Sequence, residues 1–214
     1  QKSGIYVRDL RNGMVKMVRG ETSYLVDPRC EEHVHRSVPH DRWNLWIGHA
    51  EPHKVTTAAV TTPWALSVIV PNNEAALITS RHGRRVVLGP RTELLEFEEQ
   101  LTPIKLSKGK SKDGHTTITT AYLRIQGGRV ADNFEVESSD FVRFRVKLAL
   151  AGNFEGAPER WFNVEDPVKL LADTVRARIR EAARTQQATQ ILKDLPALVR
   201  QALFAEHSTL TFPA

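Results

Sequence analysis

The chain has 214 residues, 41% hydrophobic and 26% charged, so it can bury the core of one large domain or of several small ones. Its formal net charge of +5 permits anionic partners such as RNA or lipid headgroups without requiring one, because the 30 basic residues are spread along the whole sequence. A single cysteine excludes an intramolecular disulfide and is typical of a reducing compartment, so we expect a cytoplasmic protein.

No segment of the sequence is predicted to span a bilayer, because no run of about 20 apolar residues is present. The most apolar window, Val55–Val70, is interrupted by threonines and by Pro63, and it predicts a strand, a turn and a second strand. Because the sequence begins with Gln1 rather than methionine, we expect it to be a piece of a longer protein.

A β-hairpin is predicted at the start of the chain. Ile5–Leu10 and Met14–Arg19 flank the pair Asn12-Gly13, which favours a type I′ turn because both central residues of that turn need a positive φ. Ser23–Val26 is predicted to begin a short third strand. A plain hairpin of this kind most often has no active role.

The next segment, Asp27–Lys54, is predicted to be an irregular loop that carries candidate metal ligands. Cys30, His33 and His35 are those candidates, because thiolate and imidazole bind zinc and because residues two apart on a strand share a face. The spacing argues against a zinc site, since no Cys-x-x-Cys pair and no second thiol is present. Polar loop residues are the competing interpretation. Three apolar residues are predicted to anchor the loop to a neighbouring core: Trp43, Trp46 and Ile47.

A second β unit is predicted from Ala65 to about Leu106. Within it Glu74–Ser80 and Arg84–Leu88 form a hairpin about His82-Gly83. The pattern that begins at Gly83 repeats the pattern that begins at Gly13, an offset of 70 residues (83 minus 13). The repetition indicates two copies of a small β module that pack against each other.

The segment Ser107–Gly114 is predicted to be a flexible basic linker with solvated lysines. It lacks the Gly-x-x-x-x-Gly-Lys-Ser/Thr order of a phosphate-binding loop. The threonine-rich segment His115–Ile125 that follows is predicted to be β structure.

The stretch Asp132–Phe154 predicts two antiparallel strands joined by a turn at Glu137–Asp140. Apolar and basic residues alternate along it, so one face is predicted to be buried and the other cationic. Arg143, Arg145 and Lys147 lie on the predicted exposed face, and we take them as candidate contacts between neighbouring chains. Ser138 and Ser139 beside Asp140 are typical of a turn.

Two amphipathic helical runs are predicted to cover these strands. Asp166 and Pro167 are predicted as the N-cap and first residue of a helix that ends at Arg184. Its predicted buried stripe consists of Val168, Leu171, Val175, Ile179 and Ala182, and its arginines, including Arg176, are predicted to point mainly elsewhere. In the second run, Ala188–Leu203, Pro196 predicts a break near Asp194, which then caps a new helix.

Three segments carry a resemblance to a known family. The segments GIYVRDLRNGMVKMVRGETSYLV and VPNNEAALITSRHGRRVVLGPRTELLEFEEQLTPIKLS resemble the last repeats of the major vault protein family, and FEVESSDFVRFRVKLALAGNF resembles the start of that family's shoulder domain. The shoulder is itself similar to the stomatin/prohibitin/flotillin (band 7) group. Asp27–Val55 matches less closely, and the sequence ends at Pro213-Ala214 without a long coiled-coil cap helix.

This resemblance implies an α+β fold in three parts. Residues 1–54 would be a vault-type β repeat with an irregular extension, and residues 55–113 a second vault-type β repeat. Residues 114–214 would be a mixed α/β shoulder domain, band 7-like, with two amphipathic helices.

The resemblance implies a structural subunit that associates side by side with copies of itself into a large hollow particle holding RNA or protein cargo. One alternative is a band 7-type scaffold associated with a membrane without stable insertion. Another is a metal-binding enzyme built on the histidine cluster within Cys30–His53, which contains His33, His35, His40, His49 and His53. No nucleophile, base and orienting residue occur in a recognisable arrangement, so we predict no enzymatic activity, no catalytic residue and no cofactor.

Overall fold

The computed structural model describes residues 3–20, 23–47 and 58–204, and the fold is α+β, as predicted. In chain order the first elements are β1 (Gly4–Asp9), β2 (Val15–Arg19), β3 (Glu31–Val34), β4 (Arg36–Pro39), α1 (His40–Ile47), β5 (Ala59–Thr62), β6 (Ser67–Val70), β7 (Glu74–Ser80), β8 (Gly83–Leu88), β9 (Arg91–Leu94) and β10 (Gln100–Leu101). They are followed by β11 (Ile104–Ser107), β12 (Thr117–Thr120), β13 (Tyr122–Arg124), β14 (Gly128–Glu137), β15 (Arg143–Gly152), a short 3₁₀ turn (Pro158–Arg160), α2 (Pro167–Arg184), α3 (Ala188–Lys193) and α4 (Leu195–Phe204).

The chain forms two compact units. The first consists of Gln1–Ile104 with Thr120–Ile125, and the second of Lys105–Thr119 with Gln126–Ala214. The three-part division at residues 54 and 113 stays a prediction.

The predicted first hairpin is confirmed: β1 pairs antiparallel with β2, and β3 pairs with the other edge of β1. The predicted type I′ turn is wrong, because only Gly13 has a positive φ, of 73°, whereas Asn12 does not. The loop is longer than a two-residue turn. The Asp9 amide donates to the Met14 carbonyl, and the Asn12 side chain accepts from the Met14 amide instead of its backbone entering the left-handed region.

The third strand was predicted in the wrong place. Ser23–Val26 contains no strand, and the Leu25 side chain is 93% exposed, so it adds nothing to the core. Glu31–Val34 takes the position instead, because it brings Val34 into the core. The part of Asp27–Lys54 that the structure describes is therefore not an irregular loop, since it forms β3, β4 and α1. Trp46 is buried in the core, as predicted.

The predicted second hairpin is also confirmed. It consists of β7 and β8 joined at His82, and β7 pairs in addition with β10 and β13. The other strands of this unit pair two by two, β4 with β5 and β6 with β9.

The Tyr6 hydroxyl holds three segments of the first unit together. It donates to the Leu95 carbonyl at 2.6 Å and accepts from the Leu66 amide at 3.0 Å. The Arg36 guanidinium, itself buried, donates to the same oxygen at 3.3 Å. Tyr6 has no exposed surface, so these bonds satisfy backbone groups that water does not reach.

The second unit is a long two-stranded ribbon covered by helices. β14 and β15 pair along ten residues each, from Gly128 opposite Gly152 to Glu137 opposite Arg143. Successive side chains alternate between the two faces, and the inner face contributes Phe134, Val136 and Val146 to a core with the helices. The strands were predicted correctly. Of the predicted stripe in α2, Val175 and Ile179 are buried, whereas Val168, Leu171 and Ala182 are half-buried. In the second helical run Leu192 is exposed, contrary to the prediction.

The helix boundaries follow the predicted signals. The Asp166 side chain accepts from the Lys169 amide and Pro167 begins α2. The second run breaks at Asp194, whose side chain accepts from the Ala197 amide at the start of α4. Arg176, which was predicted to point mainly away from the buried stripe, is itself buried.

The basic segment Ser107–Gly114 is packed into the second unit rather than solvated throughout. Ser107 and Lys112 are both buried, and the Lys112 amide donates to Asp132 at 3.0 Å. The Ser107 hydroxyl donates to the capping carboxylate of Asp166 at 2.6 Å. The segment thus supplies hydrogen-bond donors to the buried Asp132 and to the half-buried Asp166, which composition alone does not reveal.

Within residues 3–20, 23–47 and 58–204, no helix is both long and apolar enough to cross a membrane.

Candidate assembly surface

The outer face of the β14–β15 ribbon carries the three basic residues predicted from sequence. The register places Arg143 opposite Glu137, Arg145 opposite Glu135, and Lys147 opposite Asn133. Because side chains alternate along each strand, all six belong to the face turned away from the helices. Their role in contacts between chains stays a prediction.

Two of these basic residues are paired within the chain. Arg143 Nε lies 3.2 Å from Glu137 Oε2, and Arg145 Nη2 lies 3.0 Å from Glu135 Oε1. All four side chains are exposed, so each pair contributes at most about 1 kcal/mol to stability. At the end of the ribbon next to the turn, the predicted cationic face is therefore a ladder of two acid–base pairs, Arg143–Glu137 and Arg145–Glu135. The acidic residues of β14 show the same period-two spacing as the basic residues of β15, and that signal could have revealed the ladder.

The ladder ends at the third pair of residues. Lys147 faces Asn133 instead of a carboxylate, and the buried Oδ1 of Asn133 has no hydrogen-bond partner among the described residues. Further along the same face Arg129 lies opposite Ala151. Within the described part of the chain, neither Lys147 nor Arg129 forms an ion pair.

The ribbon turn is held in one conformation by Ser138 and Asp140. The buried Ser138 hydroxyl donates to Asp140 and accepts from the Val142 amide at 3.1 Å. Asp140 also accepts from the Ala188 amide at 2.9 Å. Hydrogen bonds from Ser138 and then from the Ala188 amide lower the pKa of Asp140, so it stays charged. These serines belong to a turn, which agrees with the sequence-based interpretation.

The same turn presents Phe141 to solvent. Phe141 is 83% exposed and has a φ of 62°, in the left-handed region that bulky residues rarely adopt. The Phe141 amide donates to the Ser138 carbonyl at 3.1 Å, which helps to fix this conformation.

The ribbon is attached to α2 by a buried ion pair. Arg176 in α2 contacts Asp132 in β14, and Arg176 Nη2 also lies 3.2 Å from the Ser111 hydroxyl. Burial raises the pKa of Asp132, but hydrogen bonds from Arg176 and from the Lys112 amide outweigh this effect and lower it below 3.8. Sequence reasoning missed this pair, because Arg176 lies in an arginine-rich helix and Asp132 in a polar stretch.

The structure brings together two of the three candidate metal ligands. The rings of His33 and His35 lie 5.0 Å apart, edge to face, and His33 Nε2 is 2.8 Å from the Pro63 carbonyl oxygen. Partial burial, and next a hydrogen bond with Asp27, raise the pKa of Cys30, which disfavours the thiolate that binds zinc.

Metal binding at Cys30, His33 and His35 stays a prediction. In the part of the chain that the structure describes, no three His, Cys, Asp or Glu side chains lie together in an arrangement that could hold a metal ion. His49 and His53, which also belong to the predicted cluster, lie outside the described residues.

The fold, the ribbon and its helices define an α+β protein with a shoulder domain, since residues 127–211 match the family described as "Shoulder domain". The chain is similar to the "Major vault protein" of Mus musculus, with 30% identity over 95% of the chain, and to that of Diplobatis ommata, with 29% identity over 95%. It is also 27% identical over 94% of its length to the "Major vault protein beta" of Dictyostelium discoideum. The chain is major vault protein-like, which confirms the resemblance found in the sequence.

The chain spans about a quarter of the length of the curated relatives it matches: 26% of the first two and 24% of the third.

Proposed function

We propose that the chain is part of a structural subunit that associates side by side with copies of itself into a large hollow vault-like particle. The observation that carries the proposal is the similarity to major vault proteins along 95% of the chain, together with the shoulder-domain match at residues 127–211. The role is structural rather than enzymatic, the location is the cytoplasm, and the contents of the particle are RNA or protein.

The physics of the second unit supports lateral association. A two-stranded ribbon is marginally stable in isolation. Among the described residues the helices pack on its inner face, so its outer face is open to neighbouring copies. Among the described residues, β15 forms strand hydrogen bonds along one edge, to β14, between Arg143 and Gly152. The outer face of the ribbon carries both positive and negative charges. Such a pattern sets the register between neighbouring copies more than it adds affinity.

The proposal is tested by the mass and shape of the complete gene product. Light scattering followed by negative-stain electron microscopy is expected to show closed hollow particles in the megadalton range. A product that stays monomeric at all concentrations contradicts the proposal. A product that oligomerises only when lipid vesicles are present supports the band 7-type scaffold instead.

The proposed contents need a separate measurement. Purified particles are expected to release RNA or additional proteins when dissociated, seen by absorbance at 260 nm and by mass spectrometry. Particles that contain only the subunit would contradict the proposed RNA or protein contents and leave the proposed hollow shell standing.

A further inference from the structure

The outer face of the ribbon contains two basic residues that form no ion pair with any residue the structure describes. Lys147 faces Asn133, and Arg129 lies four residues before Asn133 on the same face of β14. Four residues of strand span about 13 Å, so the two positive charges lie on either side of the small pair Ala131 and Ala149. Near the turn, the outer face has two pairs of a base and an acid, Arg143 with Glu137 and Arg145 with Glu135. Farther from the turn, the charged residues of this face are Lys147 and Arg129, and both are basic.

The same unit carries an acidic segment directly after β15. Glu155, Glu159 and Glu165 are exposed, and none of them forms an ion pair with another described residue. The segment is held in place, because the buried Trp161 donates from Nε1 to the Glu155 carbonyl at 2.9 Å and its ring lies 5.9 Å from Phe154. The backbone of the segment is therefore anchored next to Trp161. Its three glutamates form no ion pair among the described residues, and the segment also contains one exposed base, Arg160.

These charges do not neutralise each other within one copy. Lys147 lies five residues before Gly152, about 17 Å along the strand, and Glu155 follows three residues later. The structure contains no ion pair between Lys147 or Arg129 and any of the three glutamates, although all the residues involved are described. A second copy of the chain can supply the missing charges.

We propose that the basic patch of one copy, Arg129 and Lys147, binds the acidic segment of a neighbouring copy, Glu155, Glu159 and Glu165. When each copy uses its two patches with two different neighbours, the contact is head to tail, and repeated contacts of this kind either close into a ring or continue as an open helix. A symmetric contact of basic patch with basic patch brings like charges together and is unfavourable. This inference names the surface used for the association of copies, and it rests on the proposed function.

The test uses the complete gene product with two charge-reversed variants. The first carries Arg129→Glu and Lys147→Glu, so that both of its patches are acidic. The second carries Glu155→Lys, Glu159→Lys and Glu165→Lys, so that both are basic. Each variant alone is expected to associate roughly tenfold or more weakly than the wild type by sedimentation velocity at low ionic strength.

An equimolar mixture of the two variants is expected to restore association, because each acidic patch then meets a basic one. This rescue separates the proposed contact from misfolding, which mixing does not repair. A matched control exchanges two exposed residues of α2, as Arg178→Glu with Glu181→Arg. It leaves the net charge and both patches unchanged and is expected to associate like the wild type.

If the wild type forms particles and both variants do so equally well, the inference is overturned and the proposed function stands. If each variant is weak and the mixture does not recover, the inference is also overturned, because the two patches do not meet each other. If the wild type itself never associates, the proposed function fails, and the inference with it.

Discussion

Arg176 in α2 donates two hydrogen bonds of 2.7 Å, from Nε and Nη2, to the two carboxylate oxygens of Asp132 in β14. Both side chains are buried, and Asp132 also accepts from the Lys112 amide. One ion pair therefore joins the ribbon, the helix and the basic segment before them. A buried charge that loses its partner is strongly destabilising, so the stability of the second unit depends on this pair.

The Arg176→Met variant is expected to destabilise the second unit by about 3 kcal/mol, because it leaves the Asp132 carboxylate buried without its counter-ion. The matched control is Arg178→Met on the exposed face of the same helix, with an expected change within about 0.5 kcal/mol. Chemical denaturation, with hydrogen exchange to locate the affected amides, measures both. Equal losses in the two variants would show that the Asp132 contact is not the cause.

The acid sensitivity of the second unit is expected to follow Asp132. Its folded-state pKa lies below the ordinary value of 3.8, so the ionised form stabilises the fold above that pH and the contribution is lost as pH falls through the lower folded value. Unfolding free energy measured between neutral pH and the acid range is therefore expected to drop below about pH 4. The Asp132→Asn variant should be less stable at neutral pH and show a shallower slope below pH 4. An unchanged slope would assign the acid sensitivity to other carboxylates.

The Tyr6→Phe variant is expected to destabilise the first unit by about 2–4 kcal/mol, because the buried Leu66 amide and Leu95 carbonyl lose their hydrogen-bond partner. Tyr24→Phe is the matched control. The Tyr24 hydroxyl bonds to Glu31 at the surface, so its loss is expected to cost at most about 0.5 kcal/mol. Thermal unfolding monitored by circular dichroism distinguishes the two, and similar shifts would contradict the central role of the Tyr6 hydroxyl.

Replacement of Phe141 tests the strain in the ribbon turn. A left-handed backbone costs an ordinary residue about 1–2 kcal/mol, and glycine avoids that cost. Phe141→Gly is therefore expected to be at least as stable as the wild type. Phe141→Val is expected to lose about 1 kcal/mol, because a β-branched residue fits this φ poorly. Denaturant unfolding of both variants and the wild type gives the comparison, and a glycine variant less stable than the wild type would show that the phenyl ring makes a stabilising contact.

Local signals in the sequence determined much of this fold. Asp166 followed by Pro167 predicts the start of α2, and Asp194 before Pro196 predicts the break between α3 and α4, because caps and proline act on the nearest backbone groups. The alternation along Asp132–Phe154 predicted the ribbon and its exposed face, because the side-chain period of a strand does not depend on what covers it.

The tertiary structure decided what local signals do not contain. The sequence offers four arginines in α2, but only the packing against β14 selects Arg176 for burial, since Asp132 lies 44 residues away. The strand pairing of Glu31–Val34 displaced the expected strand at Ser23–Val26, because β1 has one free edge and the segment that buries an apolar residue there occupies it. The register of β14 with β15 likewise set which cations are neutralised. The sequence determines which residues are charged, but the distance between two charges is fixed only when distant segments pack together.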